Sequence, residues 1–141
     1  MEILNYSSEK LNSVRPLLDQ AMAVRENAYA PFSKFKVGAA LLTAKNNIYK
    51  GCNVENASIG GTICAERGAA MAAIATEGAN SFLAIAIASG SDVPAAPCGI
   101  CRQFLSQFMA KDAKVYLIST TTKDVTILNF WDLIPYPFTE F

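Results

Sequence analysis

Five residues of this chain have types and spacings that could do chemistry. Cys64, Glu66 and Arg67 stand together in TICAERGAAMAA (Thr62 to Ala73), and Cys98 and Cys101 stand in PCGIC. A thiol ligates metal or attacks carbon only as thiolate. Each of these three cysteines falls at the predicted start of a helix, where free main-chain N–H groups and the helix dipole favour the anion. The i, i+3 spacing puts Cys98 and Cys101 on one helix face. Two strand-to-helix turns at one sheet edge can join all three sulfurs, and such edges are where open α/β sheets place ligands. Three protein ligands leave one tetrahedral position of a zinc ion open, as catalytic sites do. Glu66, two residues beyond Cys64, points to a different side of the helix and is free to move protons at that position. Taken alone, the residues leave other readings open. PCGIC also fits a redox Cys-x-x-Cys pair; the cysteines also fit a purely structural zinc site; Glu66 also fits an acidic residue drawn to the helix dipole. The fourth cysteine, Cys52 beside Gly51, reads as a small buried strand residue.

Composition narrows the chemistry. The chain has no histidine. That removes Ser-His-Asp and Cys-His hydrolases and leaves proton transfer to carboxylates, lysine, tyrosine or cysteine. Twelve basic residues balance twelve acidic ones, which argues against a nucleic-acid or anionic-membrane footprint and for a small, nearly neutral ligand. The longest apolar run, FLAIAIAS (Phe82 to Ser89), has the length of a buried strand rather than a membrane span. The start, MEILNYSSEK, lacks the pattern of a signal peptide, so a cytoplasmic protein is expected. In a reducing compartment four cysteines suggest metal or catalysis, not disulfides. With 141 residues, 52% of them hydrophobic, the chain suffices for a single domain, residues 1–141, with a real core.

The elements that must position the reactive residues follow from periodicity and punctuation. Ser7 or Ser8 caps a first turn, and a helix runs past Pro16 to about Tyr29. Phe35 to Thr43 and Ile48 to Glu55 read as paired strands around an Asn46-Asn47 turn. Thr62 is placed to cap a helix that stops at Gly78. Phe82 to Gly90 is a buried strand. Pro97 opens a helix from Cys98 to about Met109. KVYLIST and DVTILN are strands, and FWDLI is a helical turn. The order α-β-β-α-β-α-β-β implies a three-layer α/β/α domain with a central mixed five-stranded sheet.

CAER followed by PCGICRQ resembles cytidine deaminases, in the compact form where three cysteines hold the zinc. The resemblance covers nearly the whole chain: YAPFSKFKVGAALL, GCNVENAS and DLIPYPF resemble further family segments in the same order. It implies hydrolysis of a cyclic amidine C–N bond, converting cytidine and 2′-deoxycytidine to the uridines in pyrimidine salvage. One zinc per chain would be held by Cys64, Cys98 and Cys101, with a zinc-bound hydroxide attacking C4 and Glu66 shuttling protons. Phe35 would contact the pyrimidine, Asn53 and Glu55 the ribose, and the backbone near Ala65 and Cys98 the base edge. Phe138 would close the site of a neighbouring subunit in a homotetramer. A zinc ion on three thiolates carries net negative charge, which Arg67 or Arg102 could offset by donating to a ligand sulfur. The resemblance leaves two other readings: a deaminase of a modified nucleoside or nucleic-acid cytosine, and a non-catalytic zinc or redox module. Ile59, Gly68, Phe32 and Pro137 depart from the family pattern, and none removes a ligand or the shuttle.

Overall fold

The computed structural model describes all 141 residues, Met1 to Phe141. Its strands are β1 (Glu2–Asn5), β2 (Val37–Thr43), β3 (Ile48–Cys52), β4 (Phe82–Ser89), β5 (Met109–Ser119) and β6 (Asp124–Asn129). Its helices are α1 (Arg15–Arg25), α2 (Ala65–Glu77) and α3 (Gly99–Ser106), and a 3₁₀ turn spans Phe130–Leu133. The strands form one mixed sheet in the order β1-β6-β5-β4-β2-β3. Only β4 and β5 are parallel.

Strand side chains alternate between faces, and the two cores follow that alternation. Ala39, Leu41, Ile85, Ile87, Val115 and Leu117 point to one face, where they pack against Ala65, Ala69, Ala70 and Ala73 of α2 and Leu105 of α3. Ala40, Ala86, Ala88 and Ile118 point to the other, against Leu17, Leu18 and Ala21 of α1. This is the expected three-layer arrangement. The sheet, however, has six strands rather than five. The added strand, β1, has four mostly exposed residues. Main-chain pairing with β6, not an apolar pattern, holds it.

Boundaries moved where tertiary contacts overrode local pattern. α1 stops at Arg25 instead of about Tyr29, because Tyr29 bonds to the main chain of Asn53 and Glu55. β3 ends at Cys52, so Cys52 is a half-buried strand end, and Val54 bridges to Tyr29 and Ile63. Cys64, not Thr62, caps α2, while Gly78 ends it as expected, with φ of 77°. α3 ends at Ser106; Phe108, which seemed to continue it, lies in a turn, and Met109 starts β5. Pro97 precedes the cap of α3, which is Cys98.

Two glycines allow the helices to approach the sheet. A Cβ on Gly51 would lie 2.4 Å from the Ala65 carbonyl oxygen and from the Ala69 nitrogen. On the opposite face, a Cβ on Gly38 would lie 2.1 Å from the Ala21 carbonyl oxygen. Gly68 approaches Gly51 as well, at ordinary contact distance for a Cβ, 3.6 Å. The far end of α2 is held differently. The Glu77 carboxylate accepts hydrogen bonds from Asn47 at 2.7 Å, Tyr49 at 2.8 Å, Asn80 at 2.9 Å and Thr43 at 3.2 Å. Partial desolvation pushes its pKa up, but these donors outweigh it and bring the value down to about 2. No helix is long and apolar enough to cross a membrane.

Two outcomes follow. Gly51→Ala inserts a carbon against helix backbone that has no room for it, so urea unfolding should register a loss of about 1–3 kcal/mol. Gly60→Ala, where an added Cβ meets nothing within 4 Å, should unfold close to the parent. For Glu77, the folded pKa lies below the ordinary 4.5. Its contribution to stability is therefore present above that pH and is lost as pH falls towards about 2. Glu77→Gln should lie below the parent in urea midpoint near neutral pH, with the gap closing in acid.

Candidate metal centre and active site

α2 and α3 begin beside each other where β2 starts and β4 ends, since Val37 pairs with Ser89. Cys64 and Cys98 are the N-cap residues, both in extended backbone, with ψ of 151° and 168°. Neither makes the side-chain cap bond that serine or aspartate would make. Their sulfurs remain available to each other, and Cys101 adds a third from the first turn of α3. The three sulfurs lie within 4.8 Å of one another, with Cys64 and Cys98 3.9 Å apart. Tetrahedral zinc, with Zn–S bonds of about 2.3 Å, requires sulfurs roughly 3.8 Å apart. The donor set and its spacing thus fit one zinc ion.

The electrostatics suit thiolate at Cys64. A hydrogen bond from Cys101, backed by Arg67, brings the Cys64 pKa down to about 5. The same contact, with burial, pushes the Cys101 thiol up. Arg67 donates from Nη2 to Cys64 Sγ at 3.3 Å, and its own pKa is raised by the sulfurs. Arg102 bonds elsewhere: Nε donates to the Pro97 carbonyl at 2.7 Å and Nη1 to the Leu133 carbonyl at 3.0 Å. Of the two arginines, Arg67 is the one with a hydrogen bond to a sulfur.

Glu66 is 5% exposed, in the first turn of α2. Burial first, and the charge on Cys64 next, push its carboxyl up to about 7. It borders a cavity of about 220 Å³ with Cys64, Cys98, Ala65, Phe35, Asn53, Val37, Thr62, Ile87, Ala95 and Ala96. One depression therefore gathers the shuttle candidate, two metal-ligand candidates and three of the substrate-contact candidates. Glu55 lies just outside it, in a second hollow of about 360 Å³ with Phe32, Ser33, Asn56, Ala57 and Ile59; Thr62 borders both.

Asn53 and Glu55 both face the Phe32–Val37 segment. Asn53 Oδ1 accepts from the Val37 N–H and its Nδ2 donates to the Phe35 carbonyl, each at 2.8 Å. Glu55 Oε1 accepts from the N–H groups of Phe32 at 2.9 Å and Ser33 at 3.1 Å, and Oε2 accepts from the Ser33 hydroxyl. The Ser33 hydroxyl and N–H lower the Glu55 pKa. Sequence reasoning passed over Ser33 and Thr62. Ser33, two residues after Pro31, carried a turn-residue signal, whereas nothing local marked Thr62 as a cavity wall. Phe138 is not part of either cavity of its own chain. It is 62% exposed and its ring stacks on Phe141 at 5.9 Å, while its main chain bonds to Gln103.

Residues 12–118 match the model of the cytidine and deoxycytidylate deaminase zinc-binding region. A cytidine deaminase of Halalkalibacterium halodurans is 42% identical over 87% of this chain and 92% of its own length. A cytidine deaminase of Sporosarcina psychrophila is 39% identical over 90% of this chain and 92% of its own. Among solved structures, the cytidine deaminase from Burkholderia pseudomallei superposes with a TM-score of 0.81 at 44% identity, covering 87% of this chain and 97% of that one. The cluster of three cysteines at paired helix starts, the α/β/α layers and these likenesses agree: the chain belongs to the cytidine and deoxycytidylate deaminase family.

Proposed function

We propose that the chain is a zinc-dependent deaminase of the free nucleosides cytidine and 2′-deoxycytidine, releasing ammonia and the uridines. The observation that carries this reading is the buried Glu66 carboxylate beside Cys64 and Cys98 in a single cavity. Cys64, Cys98 and Cys101 would hold the metal. Zinc there would supply a Lewis acid that makes water acidic enough to attack near neutral pH. Glu66 takes a proton from the attacking water as the C4–O bond forms. It passes that proton to the ring and assists the departure of ammonia as the C4–N bond breaks. Phe35 packs on the pyrimidine, and the free N–H groups at the starts of α2 and α3, near Ala65 and Cys98, read the base edge.

Asn53 and Glu55 take the ribose. Both keep capacity beyond their main-chain bonds: Asn53 has a second amide hydrogen and Glu55 has spare lone pairs. The Glu55 charge, held on by Ser33, disfavours a 5′-phosphate nearby, which supports nucleoside over nucleotide. Phe138, exposed in its own chain, covers the site of a second copy in a homotetramer. Four free cysteines suit a reducing, cytoplasmic setting, where the enzyme would serve pyrimidine salvage.

Glu66→Gln should retain about one zinc per chain, because all three thiolates remain, while turnover drops by roughly 10²–10⁴. Parental turnover in that variant would overturn the shuttle. An ammonia-release assay should rank cytidine and 2′-deoxycytidine well above cytosine and CMP. Glu55→Gln should narrow the gap between cytidine and CMP; an unchanged gap would remove Glu55 from the sugar end.

A further inference from the structure

We propose that Gln103 is a positioning residue that clamps the C-terminal segment and fixes where Phe138 is presented. This rests on the reading of Phe138 as the cover of a second copy's site. Gln103 lies on α3, two residues after Cys101. Its Nε2 donates to the Phe138 carbonyl at 2.5 Å and its Oε1 accepts from the Phe138 N–H at 3.2 Å. One side chain thus takes both main-chain groups of one residue, the pairing a neighbouring strand would supply. Nothing regular does so here, since the chain beyond Leu133 has no helix or strand. Tyr136 and Phe141 are fully exposed, so few packing contacts hold the segment.

The anchoring has two points. Arg102, next to Gln103, holds the Leu133 carbonyl, where the segment begins. Gln103 holds Phe138, five residues later. Between them stand Pro135 and Pro137. Proline has a fixed φ and no N–H, so the stretch has fewer conformations to lose and few donors of its own. The Phe138 N–H, directly after Pro137, is spent on Gln103. The outcome is a backbone fixed relative to the chain's own metal-binding helix, with Phe138 left 62% exposed for another molecule. Both hydrogen bonds of the clamp go to Phe138, and Gln103 is not among the residues that line the cavity, so it acts through Phe138.

Steady-state kinetics with cytidine test this. Gln103→Met keeps side-chain length and helix propensity but loses both hydrogen bonds. It should raise KM roughly five- to tenfold, with kcat and zinc content near the parent. Gln103→Glu keeps the acceptor for the Phe138 N–H and loses the donor, so its KM should fall between; it also serves if the methionine variant does not fold. Because Gln103 acts through the ring, the Gln103→Met/Phe138→Ala double variant should match Phe138→Ala alone. A parental KM in Gln103→Met beside a raised KM in Phe138→Ala overturns the clamp and spares the reading of Phe138. Full multiplication of the two effects overturns it as well. A parental KM in Phe138→Ala overturns both.

Discussion

Three sulfurs within 4.8 Å of one another repel strongly once ionised. At such separations each pair of unit charges costs about 4 kcal/mol in a partly shielded setting. The surroundings are arranged to hold that charge. Two helices aim their positive ends at it, and Arg67 bonds to Cys64. A dication completes the balance. With three cysteines and no histidine, the candidate protein ligands are all thiols, and the positive groups offset their charge. The same negative field helps to raise Glu66, and a bound cation would act on it in the opposite sense.

That balance exists only if α2 and α3 begin at the same place. α2 is set by Gly51, whose bare Cα meets the backbone at Ala65 and Ala69. α3 is set by the turn after β4, where Arg102 holds the carbonyl of Pro97. On the substrate side, Asn53 and Glu55 have a structural task before any ligand arrives. They gather the main chain from Phe32 to Val37, and with it Phe35, against the cavity. Polar residues assigned to a sugar thus also fix the aromatic assigned to the base.

Much of this was legible because chemistry and local signals coincide at the site. Cysteines at predicted helix starts, a carboxylate two residues on and the Gly78 stop all follow from rules of a few residues' range. The strands of the centre were legible because their alternation is forced by two packed faces. β1 was not, since Glu2–Asn5 buries only part of Leu4 and pairs with β6 through main-chain bonds that any sequence could make. The end of α3 was not, since Phe108 and Met109 are equally apolar in helix or strand, and pairing with Phe82 decides it. The partners of Arg102 and Gln103 were illegible for a different reason. Leu133 and Phe138 lie 31 and 35 residues beyond them, and no local pattern encodes such a contact.

Glu77 at one end and the cysteines at the other give α2 an uneven character. Its last residue is tied by four neutral donors that need no metal, whereas its first turn carries the charge of the thiolates. Amide protection against hydrogen exchange along the helix would then depend on zinc only near Ala65 and Glu66, and would persist towards Thr76 in metal-free protein. In that sense one helix belongs to two cooperative units, a permanent one with the β2–β3 hairpin and a conditional one with the metal.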